Sequence, residues 1–231
     1  MIQVNNLSKI YNEVAVLNIS DLKIKKGESF GLVGNNGAGK TTFFRLILDL
    51  IRASSGNILS NGEDVSKDET WKSFTGSYLD EAFLIDFLTP EEYFQFIGDI
   101  NGLSKGDIDE FLNNFAEFFN NEIIDKKKYI RELSSGNQKK VGIAAALMTN
   151  PEILILDEPF NSLDPTTQIR LKNLLKNLQK EKNVTLLISS HDLNHVTEVC
   201  DRIVVLHEGD IAHDILTNKD TLKELEKYFA V

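Results

Sequence analysis

The first thirty residues alternate short apolar runs with polar turns. The runs are IQVNNL (residues 2–7), VAVLNI (14–19) and ESFGLVG (28–34). Such spacing predicts a small antiparallel β layer that leads into a buried strand. The polar stretch KKGE (25–28) predicts a hairpin corner before that strand.

Beyond residue 40 helical and strand patterns alternate. Residues 40–50 (KTTFFRLILDL) have apolar positions at helical spacing. Asn61 and Gly62 predict a hairpin turn, because this pair tolerates the positive φ of a tight β-turn. Strands alternating with helices predict a parallel sheet with helices on both faces. Further strands are predicted at 76–80, 153–157, 184–190, 202–209 and 210–216, and further helices at 139–148, 165–181, 192–200 and 219–229.

Between residues 81 and 125 the composition becomes rich in phenylalanine and acidic residues. Helical patterns occupy EEYFQFIGDI (91–100) and IDEFLNNFAEFF (108–119). Thr89 is the predicted cap of the first of these helices, with Pro90 at its first helical position. We therefore expect an inserted helical lobe here.

Composition and charge exclude several classes of protein. The chain has 231 residues, 42% hydrophobic and 26% charged, which suits a soluble globular protein with one sizeable core. Its formal net charge of -10 argues against nucleic-acid binding, which depends on lysine and arginine. Cys200 has no partner for an internal disulfide, and no signal peptide follows Met1. We expect a cytoplasmic protein that needs another chain for any span of a membrane, since its apolar stretches are far shorter than the roughly 20 residues required.

The stretch GNNGAGKTT (34–42) has the spacing of a phosphate-binding loop, G-x-x-x-x-G-K-[ST]. A buried strand precedes it and a helix follows it. Backbone N–H groups and the helix N-terminus would then face phosphate oxygens, Lys40 would reach the outer phosphates, and Thr41 would bind Mg²⁺. A chance glycine-rich turn is the alternative, but it leaves Lys-Thr-Thr unexplained. The predicted ATP-binding residues of this loop are Gly34, Asn35, Asn36, Gly37, Ala38, Gly39, Lys40, Thr41 and Thr42.

The stretch ILILDEP (153–159) ends an apolar strand with two carboxylates. Successive side chains of a strand point to opposite faces, so Asp157 and Glu158 are expected to do different work. We assign Asp157 to the Mg²⁺ shell and Glu158 to the attacking water. The alternative is that the two residues only cap the turn before Pro159.

A second candidate anion site is LSSGNQKK (133–140). Hydroxyl groups, free N–H groups and the positive end of a helix would all face one anion at Ser134, Ser135 and Gly136. Taken by itself, without the other motifs, the stretch is more typical of an ordinary helix N-cap than of an anion site.

Together these motifs identify a family resemblance. GNNGAGKTT, LSSGNQKK, LILDEP, NSLDP (161–165) and the histidine of ISSHD (188–192) have the order and spacing of the ATP-binding subunits of ABC transporters. The resemblance covers practically the whole chain. It implies an α/β fold with a P-loop NTPase (RecA-like) core, an antiparallel β layer and an inserted α-helical lobe. It also implies one domain over 1–231, in which 1–80 and 141–231 form the β layer and core and about 81–140 form the lobe.

The resemblance implies that two subunits pack head to tail and that each completes the ATP site of the other. Residues Leu133, Ser134, Ser135, Gly136 and Asn137, called the signature stretch below, would contact the γ-phosphate bound by the partner. One chain would thus carry two anion sites because it contributes to two active sites. The commonest family signature is LSGGQ, and this chain departs from it at Ser135 and Asn137.

Further roles are implied one residue at a time. Tyr11 matches an aromatic that stacks on adenine, although such an aromatic is otherwise usually core. Glu81 matches a glutamine that contacts Mg²⁺, and a carboxylate can also bind this ion. His191 matches a histidine that contacts the γ-phosphate, and its spacing from His195 does not make a zinc site because the glutamate of H-E-x-x-H is absent. Asp164 matches a loop that couples the two sites of the dimer.

The function expected from the resemblance is an ATP-hydrolysing subunit, with ATP and Mg²⁺ as cofactors, that drives a separate transmembrane permease. Its partners would be a second copy of the chain and the permease, with no nucleic acid, on the inner face of the cell membrane. The spacing and the short C-terminus resemble exporter subunits. The alternatives are a soluble ABC-type ATPase and an ATP-gated clamp that does not hydrolyse ATP.

Phe83, Leu84 and Phe87 follow the Glu81 loop, where the family receives a short helix of the permease. Apolar anchors in a groove are the usual way to hold an amphipathic helix. The alternative, that these residues pack the core of the lobe itself, is equally consistent with the sequence.

Overall fold

Two sheets and eight helices form the part of the chain described by the computed structural model, residues 1–230. The strands are β1 (Ile2–Tyr11), β2 (Val14–Ile24), β3 (Ser29–Val33), β4 (Ser55–Ser60), β5 (Glu63–Asp64), β6 (Thr75–Tyr78), β7 (Ile153–Leu156), β8 (Thr185–Ser190), β9 (Arg202–His207) and β10 (Asp210–Leu216). The helices are α1 (Lys40–Ile47), α2 (Pro90–Ile100), α3 (Lys105–Asn114), α4 (Ala116–Phe119), α5 (Ser135–Met148), α6 (Pro165–Lys182), α7 (Leu193–Val199) and α8 (Thr221–Phe229).

The smaller sheet is antiparallel and has the strand order β2-β1-β4-β5. Alternate residues of β1 and β2, such as Ile2, Val4 and Ile19, are buried. The predicted hairpin is confirmed, because Asn61 (φ 51°) and Gly62 (φ 94°) join β4 to β5 with positive φ at both positions.

The larger sheet has the order β10-β9-β3-β8-β7-β6. Only its β10–β9 pair is antiparallel. Every residue of β3, β7 and β8 is buried, as expected for parallel strands that are covered on both faces. One face packs against the later helices, including α5, α6 and α7, whereas the other packs against α1 and the antiparallel sheet. The prediction of helices on both faces is thus modified, since the small sheet covers much of one face.

The turn at 25–28 is not the corner of a hairpin, as the sequence had predicted. β2 and β3 belong to different sheets, and β3 lies between β8 and β9. Gly27 (φ 74°) donates its N–H to Thr185 Oγ1 at 2.9 Å, so the turn is attached to the parallel sheet. The physical reason is burial: β3 is apolar on both faces, and only the centre of a covered sheet buries both.

Residues 90–119 form the helices of the predicted lobe. Thr89 and Glu92 make a reciprocal capping box at the start of α2, and Pro90 occupies the first helical position. The predicted helix at 108–119 is divided at Phe115 into α3 and α4. Its aromatic side chains pack on one another, with the rings of Phe111 and Phe115 stacked at a centroid distance of 4.4 Å. Within residues 1–230, no helix is both long enough and apolar enough to cross a bilayer.

Candidate nucleotide-binding site

The glycine-rich loop (residues 34–42) connects the end of β3 to α1. Gly39 is the N-cap of α1 with φ 108°, and a Cβ at this position would lie 2.9 Å from the carbonyl oxygen of Val16. A Cβ on Gly34 would lie 2.5 Å from the carbonyl oxygen of Leu206. The loop is therefore held between β2 and β9 at positions where only glycine fits.

The loop concentrates hydrogen-bond donors and positive charge. The first N–H groups of α1 have no acceptor within the helix and lie at its positive end. The buried ammonium of Lys40 donates to the carbonyl oxygens of Gly34 (2.6 Å) and Asn35 (3.4 Å) across the loop. This arrangement suits a phosphate group.

Asp157 follows β7 and lies between two hydroxyl groups. It accepts a hydrogen bond from Thr41 Oγ1 at 2.5 Å and another from Ser189 Oγ, which belongs to the neighbouring strand β8. Its side chain is buried, with 5% exposure. Burial raises the pKa of the Asp157 carboxyl above its ordinary value, although the two hydroxyl hydrogen bonds act in the opposite direction.

The contact between Thr41 and Asp157 joins the two strongest predicted magnesium ligands. Both supply oxygen, which is the donor atom that Mg²⁺ prefers. Across residues 1–230, no three His, Cys, Asp or Glu side chains form a metal cluster. A bound Mg²⁺ would thus be held by few protein ligands together with waters and nucleotide oxygens, as is usual for this ion.

Glu158 has a backbone conformation that the sequence did not predict. β7 ends at Leu156, and Glu158 has φ 45°, so the strand alternation expected for Asp157 and Glu158 does not apply. Its N–H donates to Ser189 Oγ at 2.9 Å and its carbonyl oxygen accepts from Lys139 Nζ at 3.1 Å. Both carboxylates consequently lie at the same site, yet their side-chain partners differ.

The Glu158 carboxylate lies between the ammonium of Lys40 and the imidazole of His191. Its Oε1 is 3.6 Å from Lys40 Nζ, and its Oε2 is 3.0 Å from His191 Nδ1. The N–H of His191 also donates to Oε2 at 3.3 Å. The structure thus brings together Lys40, Thr41, Asp157, Glu158 and His191, which come from three distant parts of the sequence.

The signature stretch opens α5 at the surface. Ser134 is the N-cap, and its hydroxyl accepts from the N–H of Asn137 at 3.3 Å. Ser134 and Ser135 are exposed, while Leu133 is buried as an anchor. A Cβ on Gly136 would lie 2.5 Å from the carbonyl oxygen of Ser162, so the NSLDP loop packs closely against the start of the helix.

Within residues 1–230 of one copy, the signature stretch (133–137) forms no hydrogen bond or ion pair with the glycine-rich loop. The ordinary N-cap and the second anion site, both left open by the sequence, are compatible: the Ser134 hydroxyl caps the helix, and the helix end still faces outwards.

Three further predicted residues lie outside the cluster around Lys40 and Glu158: Glu81, Tyr11 and Asp164. Glu81 Oε1 is 3.6 Å from Lys139 Nζ and makes no direct contact with Thr41 or Asp157, so its role as a magnesium ligand stays a prediction. Tyr11 lies at the end of the β1–β2 hairpin with 45% of its surface exposed, and Lys9 Nζ lies over its ring at 4.6 Å from the centroid. Adenine stacking on it also stays a prediction.

Asp164 caps α6. Its carboxylate accepts from the N–H of Thr167 at 3.0 Å and from the hydroxyl of Thr167 at 2.5 Å. These hydrogen bonds lower the pKa of Asp164 below its ordinary value. The residue therefore has a local structural role, and its predicted role in coupling two sites is not tested by this contact.

Two site residues were missed in the sequence analysis. Ser189 contacts both Asp157 and the backbone of Glu158, and Lys139 contacts the carbonyl oxygen of Glu158. Ser189 could have been found as a polar residue near the end of an otherwise apolar buried strand. Lys139 could have been found as a lysine preceding the apolar residues of a helix whose next turns are rich in alanine.

Comparison with known proteins gives consistent matches over most of the chain. Residues 17–161 match the family described as ABC transporter. A bacitracin transport ATP-binding protein from Enterococcus faecalis is 34% identical over 93% of this chain and 69% of its own length. A methionine import ATP-binding protein from Bacillus cereus is 35% identical over 93% of this chain and 66% of its own length.

Solved structures share the fold. The structure of an ATP-binding subunit of an ABC transporter matches with a TM-score of 0.85 and 29% identity, over 100% of this chain and 93% of that one. The dimeric structure of a bacterial ABC transporter cassette matches with a TM-score of 0.85 and 25% identity, over 94% of this chain and 99% of that one.

The buried charge of Asp157 generates a prediction about stability. Replacing Asp157 by Asn removes a buried negative charge, so we expect the free energy of unfolding of the nucleotide-free protein to rise by about 1 kcal/mol at pH 7. Because the folded-state pKa of Asp157 is raised, the wild-type carboxyl becomes neutral as pH falls through that value. The difference in the free energy of unfolding between the Asn variant and wild type should therefore become smaller as the pH falls from 7 to 4.

Urea unfolding of both proteins across this pH range measures the difference. Asp164→Ala is a control with the opposite expected sign. It removes a capping carboxylate whose pKa is lowered, so the free energy of unfolding should fall at pH 7. An Asp157→Asn protein that is less stable than wild type at pH 7 contradicts the prediction.

Proposed function

The chain belongs to the ABC transporter family of ATP-binding subunits, and we propose that it hydrolyses ATP between two copies of itself to drive a separate membrane permease. The observation that carries this proposal is the convergence of Lys40, Thr41, Asp157, Glu158 and His191 at the end of the glycine-rich loop. These side chains supply the phosphate-binding, metal-binding and water-orienting groups that phosphoryl transfer needs.

The proposal assigns each group one role, which its position supports. The N–H groups of the loop and the Lys40 ammonium bind the β- and γ-phosphates. Thr41 and Asp157 would hold Mg²⁺, which would neutralise the charge that develops on the phosphates. Glu158 orients the attacking water and accepts its proton, and His191 lies beside the Glu158 carboxylate to fix that water near the γ-phosphate.

The second copy is proposed because the signature stretch is separated from the site of its own chain. Ser134 and Ser135 are exposed, and the N-terminus of α5 has unpaired N–H groups at its positive end. In a head-to-tail dimer these groups would contact the γ-phosphate bound by the partner copy. ATP would then join the two copies, and hydrolysis would release them.

Replacing Glu158 by Gln tests the role of the carboxylate. We expect ATP hydrolysis to fall by about 10²-fold or more, because the amide cannot accept the proton of the attacking water. ATP binding should persist, and light scattering should show an ATP-dependent dimer of this variant. Glu152→Gln is the control, since that surface carboxylate pairs with Lys26 at 2.7 Å and its replacement should leave the rate unchanged.

Normal turnover by the Glu158→Gln protein would show that another group activates the water. A wild-type protein that binds ATP but releases no phosphate, with or without a permease, would favour the ATP-gated clamp instead.

An apolar groove supports the proposal that a permease is the partner. The groove has a volume of about 400 Å³ and lies between β6, α2 and α5, with Leu48, Leu50, Trp71, Phe83, Leu84 and Ile97 among its lining residues. Leu84 is 9% exposed and packs in the core, where it would contact a Cβ on Gly142. Phe83 (55% exposed) and Phe87 (62% exposed) instead present apolar rings to the surface. Leu84 therefore fits the interpretation that this segment packs the core, whereas the exposed phenylalanines fit the interpretation that it binds a partner. An amphipathic helix of the permease is the proposed occupant of the groove.

Charged substitution at the groove tests this contact. Phe83→Glu should abolish transport by the assembled complex while basal ATP hydrolysis stays within about 2-fold of wild type, because Phe83 lines the groove. Leu216→Glu is the matched control, since Leu216 is exposed on the edge strand β10 away from the groove. Transport by reconstituted vesicles is the measurement, and normal transport by the Phe83→Glu variant would exclude this groove as the docking site.

Export is the proposed direction of transport, as the sequence resemblance predicted. Import is the alternative, because relatives named for methionine import are as similar to this chain as those named for bacitracin transport. Movement of cargo into or out of vesicles that contain the complex distinguishes the two. Copurification of the chain with a membrane protein distinguishes both from a soluble ABC-type ATPase.

A further inference from the structure

Lys139 is a buried lysine between the helical lobe and the catalytic glutamate. It lies on the first turns of α5, three residues after Gly136, and its side chain is only 8% exposed. Its Nζ atom is 3.1 Å from the carbonyl oxygen of Glu158 and 3.6 Å from Glu81 Oε1. It also lies 5.4 Å from the centroid of the Tyr78 ring.

Burial of this ammonium is unfavourable unless it is paired. A buried charge without partners costs several kcal/mol, so the contacts that surround it are the ones that keep it in place. Within the described chain, Glu81 is the one carboxylate within 4 Å of Lys139 Nζ. The Glu158 carbonyl and the face of the Tyr78 ring complete its surroundings.

The contact matters because of the backbone conformation of Glu158. A non-glycine residue with φ 45° is in the left-handed region, which is unfavourable for a side chain with a Cβ and persists only where neighbouring groups hold it. On one side the N–H of Glu158 donates to Ser189, and on the other its carbonyl oxygen accepts from Lys139. Ser189 belongs to the sheet, whereas Lys139 belongs to the helix that begins with the signature stretch.

We propose that Lys139 is a positioning residue for hydrolysis, which holds the backbone of Glu158 in its left-handed conformation so that the carboxylate faces the attacking water. This inference rests on the proposed role of Glu158. Glu81 fixes Lys139 by ion pairing, and the turn that contains Glu81 also contributes Phe83 to the apolar groove. One lysine on the signature helix thus contacts both Glu81, in the turn that leads to the groove, and the carbonyl oxygen of Glu158.

The test compares Lys139→Met, Lys139→Arg and wild type in the full chain, assembled with its membrane partner where one copurifies. Methionine keeps the volume of the side chain but cannot donate to the Glu158 carbonyl. We expect kcat to fall by about 10-fold or more, while the Kd for ATP stays within about 2-fold, because the carboxylate is misplaced and the phosphate loop is intact. Arginine keeps a charged donor and should recover kcat to within about 3-fold of wild type.

A matched control separates positioning from general stability. Lys172→Met also removes a largely buried lysine from an ion pair, in this case with Glu198 at 2.9 Å, and it lies on α6. This variant should keep wild-type kcat even if its melting temperature falls. If Lys139→Met does not fold, Lys139→Gln replaces it, since the amide is one bond too short to reach the carbonyl.

The effects of the Lys139 variants on kcat and on ATP affinity either support or overturn the proposal. A loss of kcat without a loss of ATP affinity, reversed by arginine, supports the proposal. Unchanged kcat in the variant without a donor, equal losses of kcat and ATP affinity, or failure of arginine to restore the rate would each overturn it. Absence of hydrolysis by wild type would contradict the proposed function and this inference with it, whereas the three results above would overturn this inference alone and leave the proposed function intact.

Discussion

The site depends on three parallel strands, β3, β8 and β7, ending side by side at one edge of the sheet. β3 leads into the glycine-rich loop, β7 leads into Asp157 and Glu158, and β8 leads into His191. Because β8 lies between the other two, Ser189 on this strand can bind both carboxylate residues of the β7 end. Ligand sites of open α/β sheets occur at the carboxyl ends of strands for this reason. The buried apolar character of the three strands explains why they occupy the interior of the covered sheet, and their order in the sheet determines which side chains meet at the site.

The two proposed anion sites lie on different parts of the fold. The glycine-rich loop is confined by β2 and β9, whereas the signature stretch belongs to α5, which packs against the helical lobe. A single copy therefore has one helix N-terminus at its own site and another at its surface. The buried charges of Asp157 and Lys139 are costs that a purely structural core would avoid, and their presence at this place is typical of a functional site.

Most of the elements were predictable from the sequence because their local signals agree with the tertiary fold. Thr89 and Pro90 at the start of α2 and the Asn61–Gly62 turn have local causes, and both were found. The KKGE turn was predicted wrongly, because which strands pair is decided by burial on both faces and not by the turn itself. The positive φ of Glu158 and the contacts of Lys139 could not be predicted, since they arise from residues distant in the sequence. The motifs indicated which residues form the site. The hydrogen bond from Lys139 on α5 to the carbonyl oxygen of Glu158 was visible only in the structure.

The central claim is that ATP is bound by the loop of one copy and the signature stretch of another. Mixing two inactive variants tests it most directly: Lys40→Ala lacks the phosphate-binding lysine, and Ser134→Glu places a negative charge at the signature stretch. In an equimolar mixture half of the dimers would be mixed, and each of these would have one intact composite site. The account predicts that the mixture regains about one quarter of wild-type ATP hydrolysis. A mixture no more active than its separate components would contradict a site shared between two copies.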